Sequence, residues 1–433
     1  MTGGCRTAEL PAPGADRGED PVIVVPAPDR RRRRSATGFW IATLTILLIG
    51  GQTATPSPVY PLYAQMWHLS AFTTTVMFAA YALGMVCTLL TAGSVADHIG
   101  RRPVVVIAAT VAIGSLVLFA VATGPLEVVF ARLLQGVALA LDLTALGAIL
   151  LDLAPSRRPQ LAATLNGAMP PAGLAFSALT SSVLVQYAPM PTITVYIVNA
   201  AATALMTALL FLAPERHARR PGLLASLRPS IGIPRQARPA FVTVLGCLLA
   251  SWALGGLYLS LGPSVVRSLF GLHNALSGGA AIAAVTGTGA LTGLLLQRRT
   301  PSQTMTIGAV ALVVGPILTI GAVLAPAAWL FYVSSVVGGV GFGAGFQGGL
   351  RLILASAPGD RRSGLLSSIY LVSYSAVAVP ALIASLLVPH LGLTAVMIGY
   401  AVLVALSSST ALLAQRLNAG TGGVHNRKQV AAQ

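Results

Sequence analysis

The chain has 433 residues, of which 55% are hydrophobic and 9% are charged, and its formal net charge is +16. A soluble domain carries roughly 25% charged residues, so the composition excludes an ordinary soluble globular protein and predicts integration into a lipid bilayer. The positive charge also suggests nucleic-acid binding, but the basic residues lie in the tails and in alternate loops, as the positive-inside rule requires. We therefore expect no nucleic-acid partner.

The order of apolar and basic segments predicts two membrane-embedded halves. Residues 1–37 predict a disordered basic tail. Apolar stretches long enough to cross a bilayer follow at 38–59, 72–95, 103–123, 126–152, 161–187 and 191–213. A basic linker at 214–238 precedes six more, at 239–261, 275–296, 304–324, 327–354, 364–388 and 391–415, and residues 416–433 form a second tail. The predicted fold is an all-α integral membrane protein with twelve transmembrane helices in two six-helix lobes, 38–213 and 239–415.

The distribution of charge predicts the orientation. Lysine and arginine fall in both tails, in the linker and in the loops after predicted helices 2, 4, 8 and 10, whereas Arg267 lies in a loop on the other side. By the positive-inside rule both termini are expected to be cytoplasmic. Arginine is abundant while Lys428 is the only lysine. This bias is typical of GC-rich genomes and suggests a bacterial inner membrane, that is, a cytoplasmic membrane.

A weak internal repeat supports the two-lobed arrangement. Gly136 aligns with Gly339 and Pro155 aligns with Pro358, each pair at an offset of 203 residues. Six helices repeated in parallel, with a basic connection between the copies, are typical of two-lobed secondary transporters.

The loop after predicted helix 2 carries the most specific motif, composed of Gly93, Asp97, Gly100, Arg101 and Arg102. Its two glycines permit a tight turn, and its single carboxylate stands beside two arginines. The pattern resembles the signature loop of the major facilitator superfamily, except that His98 replaces the usual arginine. Arg132, Gln135 and Gly136 in helix 4 resemble the second motif of that family.

This resemblance, to bacterial twelve-helix drug-efflux members in particular, implies a transporter that works by alternating access. It also implies that Asp97 docks at the N-terminus of helix 11 when the cytoplasmic gate is closed, as a latch between the lobes. The alternative is a solvated turn whose charges only set the topology.

Asp142 is the acidic residue predicted to lie deep in a span, about 4 Å past the midpoint of helix 4. An acid at this depth costs roughly 2.5–3.5 kcal/mol on insertion scales, a cost that packing does not require. Burial disfavours the charged form of a carboxyl group, so such an acid can exchange protons near neutral pH. We expect Asp142 to couple protons, to bind a cationic substrate, or both; the alternative is a hydrogen-bonded structural acid facing a wet cavity.

Two arginines lie in predicted spans, and the sequence allows two interpretations of each. Arg132 lies about 15 Å from Asp142 along the same helix. The resemblance implies a buried coupling role for Arg132, and the alternative is an interfacial side chain that extends to the outer headgroups. Arg351 either faces Asp142 across a central cavity or extends to the cytoplasmic interface.

A mostly apolar cavity with few polar groups would suit amphipathic organic molecules. The candidates to line it are Gln52, Asn166, Trp252, Tyr258, Gln347, Tyr370 and Tyr374, although each of them alone is more simply explained by packing.

The sequence has no His, Cys, Asp or Glu cluster with metal-ligand spacing and no phosphate-binding loop. We therefore predict no enzyme, no metal and no cofactor, with a proton gradient as the energy source. The leading hypothesis is proton-coupled export of hydrophobic or amphipathic small molecules by a functional monomer. Import or facilitated passage of a small metabolite is the alternative, and a non-transporting receptor or scaffold is a third hypothesis.

Overall fold

The computed structural model describes residues 30–93, 95–155, 158, 160–213, 231–357 and 362–430. All of the regular secondary structure within these residues is helical. The α-helices are α1 (Arg30–Gly51), α2 (Tyr60–Met66), α3 (Ala71–Ala92), α4 (Val95–Ile99), α5 (Arg101–Ala120), α6 (Pro125–Asp152), α7 (Gln160–Tyr187), α8 (Pro191–Leu210), α9 (Arg238–Ser260), α10 (Gly262–Phe270), α11 (Ala275–Leu295), α12 (Pro301–Leu324), α13 (Ala328–Ala355) and α14 (Arg362–Val430).

The number of membrane crossings agrees with the prediction of twelve. In the described residues, eleven helices are long and apolar enough to cross a membrane. The last of these, Gly364–Leu417, has 54 residues, which rise about 80 Å, whereas a hydrocarbon core is about 30 Å thick. Gly392 breaks it with φ 77° and ψ 158°, close to where the sequence predicts the end of helix 11. This segment therefore makes two crossings.

The first predicted helix ends earlier than expected. The prediction of 38–59 is wrong at its C-terminal end, because α1 stops at Gly51 and a 3₁₀ turn, Gln52–Ala54, follows. Pro56 and Pro58 lack the amide hydrogens that a continued helix would need. The residues after the helix nevertheless stay buried, and some of their carbonyl groups accept local backbone hydrogen bonds, such as that from the amide of Thr55 to the oxygen of Gln52 (3.0 Å).

The outer parts of the predicted tails and linker lie beyond the described residues. This applies to residues 1–29, 214–230 and 431–433. The helices run further than predicted at both ends of the chain, since α1 begins at Arg30 and α14 continues to Val430.

Buried apolar side chains form two clusters, one in each half. The first is built mainly from α1–α8, around Phe78 and Phe119, and the second from α9–α14, around Phe331. Tyr374 and Val377 of α14 belong to the first cluster, so the two halves meet along α3 and α14. They also meet along α7 and α11.

Glycine lets α1 and α7 pack closely. A Cβ atom on Gly173 would collide with the carbonyl oxygen of Leu47, and one on Gly51 would collide with the backbone of Gly173. Small residues at such crossings allow helix backbones to approach in a membrane. The Gly- and Pro-rich stretch of α7 therefore serves packing at this crossing.

The ends of the helices fall into two sets. Because successive spans alternate in direction, the loops after α3, α6, α11 and α13 lie at one end of the bundle. Arg101, Arg158 and Arg298 are in or next to these loops, and we call this end the basic end.

Replacing Gly392 should lower stability through its backbone conformation alone. A backbone with φ 77° and ψ 158° is favourable essentially for glycine, so Gly392→Ala should cost about 1–3 kcal/mol. Thermal unfolding of the purified protein in detergent measures this as a lower Tm. Gly399→Ala is the matched control, because a Cβ atom at either position meets open space and Gly399 has no positive φ. Equal Tm values for the two variants would contradict the argument.

Candidate functional site

Helix α6 holds a fully buried arginine. The side chain of Arg132 is 0% exposed. Its Nε donates a hydrogen bond to the hydroxyl of Tyr60 (2.6 Å), and its Nη1 donates to the carbonyl oxygen of Thr53 (2.9 Å) and to Oε1 of Gln135 (2.7 Å). Arg132 therefore points into the first half and does not extend to the headgroups.

These bonds satisfy the backbone where α1 ends. Nε2 of Gln135 donates to the carbonyl oxygen of Gln52 (3.0 Å), next to the Thr53 carbonyl that Arg132 occupies. The last carbonyl groups of a helix have no partner within it and carry a partial negative charge. Arg132 and Gln135 thus bind, from α6, the carbonyl groups of the 3₁₀ turn that follows α1.

Aromatic rings enclose the guanidinium group of Arg132. Its Cζ lies 5.3 Å from the ring centroid of Tyr60, 5.6 Å from that of Phe78, 5.5 Å from that of Tyr81 and 6.0 Å from that of Phe119. Cation–π attraction at such distances stabilises a charge that has left water. The described residues place no carboxylate in an ion pair with Arg132, so aromatic faces and neutral oxygens surround this charge.

Asp142 lies on the same helix in a very different environment. Its side chain is 0% exposed, and neither carboxyl oxygen has a hydrogen-bond partner among the described residues. The nearby Thr144 instead donates to the carbonyl oxygens of Ala140 and Leu141. A structural acid would have partners, and an ionised carboxylate without any is costly to bury. This is the least satisfied acidic group that the described part of the chain contains.

The motif loop holds the basic end of the first half together. Gly100, at φ 101°, precedes α5 in a conformation that favours glycine. Arg101 forms an ion pair with Asp152 and donates to the carbonyl oxygen of Ala148 (2.8 Å). Both partners lie in the last turns of α6, where the helix dipole favours a cation.

Arg102 makes the equivalent connection to the end of α8. It donates to the carbonyl oxygens of Ala213 and Phe211 (3.2 Å for Phe211), and its Cζ lies 5.2 Å from the Phe211 ring centroid. Gly93 ends α3. The side chain of Asp97 lies outside the described residues, as do those of the first two residues of α14, so the latch stays a prediction.

Arg351 lies near the basic end. Its side chain is exposed, and its Nη2 donates to the carbonyl oxygen of Arg299 (3.1 Å). No hydrogen bond joins it to Asp142 in the described residues.

Two of the predicted cavity residues are instead buried inside one half. Gln52 donates from Nε2 to the hydroxyl of Thr203 (2.6 Å). The hydroxyl of Tyr258 accepts a hydrogen bond from that of Ser335 (2.9 Å). Both side chains are at most 3% exposed, so they are internal hydrogen-bonding groups in this conformation.

The other candidates lie where the halves meet. Ring centroids of Trp252 and Tyr374 are 4.9 Å apart, and that of Tyr81 in the first half is 6.1 Å from Tyr374. Phe346 lies 5.1 Å from Trp252, and Tyr370 lies 6.5 Å from Tyr374. We call these five residues the interlobe aromatic group. The sequence did not single out Tyr81 or Phe346, whose neighbours come from distant helices.

Amide side chains complete this region towards the basic end. Nε2 of Gln347 lies 3.5 Å from the carbonyl oxygen of Gly167, across the two halves. The hydroxyl of Thr164 donates to Oε1 of Gln297 (2.7 Å), also across the halves. Asn166 is half-buried beside Gly147. The surface between the halves thus combines aromatic rings with neutral polar groups.

A model of the Major Facilitator Superfamily matches residues 42–325. The chain belongs to this superfamily. It is therefore a transporter and not an enzyme, an integral multi-pass membrane protein that acts on a small molecule.

Solved structures of superfamily-type transporters share the fold. A bacterial homolog of the human lysosomal transporter Spinster, inward-facing and unoccupied, matches with a TM-score of 0.70 and 14% identity, over 88% of this chain and 97% of that one. A mutant of the nucleoside transporter NupG matches with a TM-score of 0.66 and 14% identity, over 88% and 99% of the two chains. A POT family transporter in complex with 5-aminolevulinic acid matches with a TM-score of 0.69 and 13% identity, over 88% and 96%.

One sequence match has a higher identity than these structures but covers a short segment. Multidrug resistance protein MdtL of Vibrio parahaemolyticus serotype O3:K6 (strain RIMD 2210633) is 34% identical over 93 residues. The match covers 21% of this chain and 24% of that protein, so the chain spans about a quarter of the length of this relative.

Replacing Arg132 by lysine should lower the stability of the folded protein. Arg132→Lys keeps the charge but loses the planar group that bonds Tyr60, Thr53 and Gln135 together, so we expect a loss of about 2 kcal/mol and a lower Tm. Arg351→Lys is the matched control, because that side chain is exposed and its Tm should change little. An equal Tm shift in both variants would show that the Arg132 bonds contribute nothing specific.

Proposed function

We propose that this protein is a proton-coupled exporter of hydrophobic or amphipathic small molecules. It works by alternating access as a monomer in the cytoplasmic membrane, with both termini in the cytoplasm. The observation that carries the proposal is Asp142, a carboxyl group buried in a spanning helix without a hydrogen-bond partner in the described residues.

A carrier of protons needs a group whose charge can change when access changes. Asp142 is shielded from solvent in the described conformation, where an isolated negative charge is costly, so it is neutral there by holding a proton or is paired with a bound cation. If the two halves rock so that water reaches Asp142, the proton or the bound cation would be released. The energy then comes from an ion gradient.

The interlobe aromatic group supports an amphipathic substrate. Trp252 and Tyr370 are half-buried, and Trp252 Nε1 has no hydrogen-bond partner among the described residues. Aromatic rings with few polar groups suit ligands that are mostly apolar. The partial match to a multidrug resistance protein agrees with this class of substrate.

Import of a small metabolite is the second candidate. The described part of α1, where many drug–proton members of the superfamily carry an acid, has none, and Gln52 and Thr53 follow it. One solved structure with the same fold is a nucleoside transporter. The direction of transport therefore needs a direct measurement.

Dye transport in everted membrane vesicles tests coupling and direction together. An acidic vesicle lumen should drive wild-type protein to accumulate dyes from a panel of amphipathic molecules. Asp142→Asn should reduce this pH-driven accumulation at least about tenfold, because the amide cannot carry a proton. Glu127→Gln is the matched control and should transport normally, since Glu127 is an acid in the first turn of the same helix.

Three results would contradict the proposal. They are dye movement that ignores the imposed pH gradient, an equal loss in both variants, and accumulation of dye only when the gradient is reversed. The last would favour import.

Orientation has its own test. Reporter domains at the two ends of the chain should both be active in the cytoplasm, because twelve crossings return the chain to its starting side. Opposite locations would mean an odd number of crossings and would overturn the topology.

A further inference from the structure

A cleft opens between the two halves at the end of the bundle opposite the basic end. Pro58, Pro61 and Leu62 form its wall in the first half, and α10, the loop after it and the first turn of α11 form its wall in the second half. Its cavity volume is about 40 Å³. Most of the lining is apolar, and Arg267 is its permanently charged side chain.

Arg267 is the exception in the distribution of charge along the chain, because the other loop cations predicted from the sequence lie at the basic end. Its Nη1 atom is shielded from solvent and has no hydrogen-bond partner among the described residues. Its Nη2 atom makes one long contact, 3.5 Å, to the carbonyl oxygen of His273. No described acidic side chain forms an ion pair with it.

A guanidinium group has five donors in a planar fork, and a carboxylate matches that fork with two parallel hydrogen bonds. Most of the donor capacity of Arg267 is therefore unused at the wall of a cleft. A group that accepts hydrogen bonds from these donors must come from outside the described residues.

The start of α11 adds positive potential at the same place. This 21-residue helix begins at Ala275, beside the cleft, and the N-terminal end of a helix favours negative charge. The amide of Ala275 already donates to Oε1 of Gln186, and that of Leu276 donates to Oδ1 of Asn274. The guanidinium of Arg267 is thus the charged donor in the lining that keeps unused capacity.

We propose that this cleft binds a small organic anion, a carboxylate carried on an apolar body. The carboxylate pairs with Arg267, and the apolar body packs against the proline and leucine side chains of the first half. An inorganic anion would leave those walls uncovered. Because the walls come from both halves, the bound anion links them. The site is separate from Asp142 and does not depend on proton coupling or on the direction of transport.

Binding of benzoate to the purified full-length protein tests the site without any gradient. Isothermal titration in an uncharged detergent should show benzoate binding to wild type, with benzyl alcohol and inorganic phosphate each binding at least about tenfold more weakly. Arg267→Gln should weaken benzoate at least about tenfold, and Arg267→Lys should fall between the two. Arg298→Gln, an exposed arginine at the basic end, should match wild type.

The proposal is overturned if wild type does not bind benzoate, if Arg267→Gln binds it as tightly as wild type, or if benzyl alcohol binds as tightly as benzoate. Thermal unfolding of each variant, including Arg267→Lys, shows whether the variant still folds. A loss of binding can then be distinguished from a loss of folding. A lipid headgroup is the other source of an anion. If benzoate binds in phosphatidylcholine nanodiscs but not after phosphatidylglycerol is added, lipid fills the cleft and the small-anion proposal is wrong.

Discussion

The buried carbonyl groups of the 3₁₀ turn that follows α1 impose the main constraint on the first half. A chain surrounded by hydrocarbon must satisfy its backbone polar groups internally. Helix α6 supplies the donors, Gln135 to the Gln52 carbonyl and Arg132 to the Thr53 carbonyl. To make these bonds the guanidinium group is buried, and the rings of Tyr60, Phe78, Tyr81 and Phe119 pack around it. The break in one helix thus determines the surroundings of a charge on another.

Helix α6 carries two buried ionisable groups with opposite environments. Arg132 makes three hydrogen bonds through Nε and Nη1 and faces several aromatic rings, which stabilise its charge, while its Nη2 has no hydrogen-bond partner among the described residues. Asp142 has no partner in the described residues. A cation held by several hydrogen bonds and aromatic rings resists change, whereas a carboxyl group without any partner gains from binding a proton or a cation. This contrast is why we assign capping to Arg132 and coupling to Asp142.

Neutral groups make the hydrogen bonds between α7 and the second half. Thr164 meets Gln297, Gln347 approaches Gly167, and Gln186 meets the amide of Ala275. Hydrogen bonds of this kind each contribute roughly 0.5–1.5 kcal/mol. The described ion pair, Arg101 with Asp152, lies within the first half. The described hydrogen bonds between α7 and the second half are therefore all between neutral groups, which suits two bodies that rock against each other.

Much of the fold was predictable because hydrophobic length and charge act locally along the chain. Twelve apolar stretches and basic alternate loops indicated twelve crossings, and the structure agrees, including the break at Gly392. The end of helix 1 was not predictable from apolarity, because residues 52–59 stay buried after the helix stops. Asp142 was found as an acid deep in a span. Its lack of partners, the ion pair of Asp152 and the approach of Tyr81 to Tyr374 depend on helices far apart in sequence.

The amino-acid sequence by itself determined that this chain spans a membrane twelve times and belongs to a transporter family. Both follow from patterns within a few tens of residues, since hydrocarbon selects long apolar helices and a motif loop is contiguous. The tertiary structure decided which polar groups are satisfied. It buried Gln52 inside one half, exposed Arg351 near the basic end and left Asp142 and Arg267 with unfilled bonding capacity. The physical reason is that a hydrogen bond requires two groups within about 3 Å, and helix packing brings distant residues to that separation.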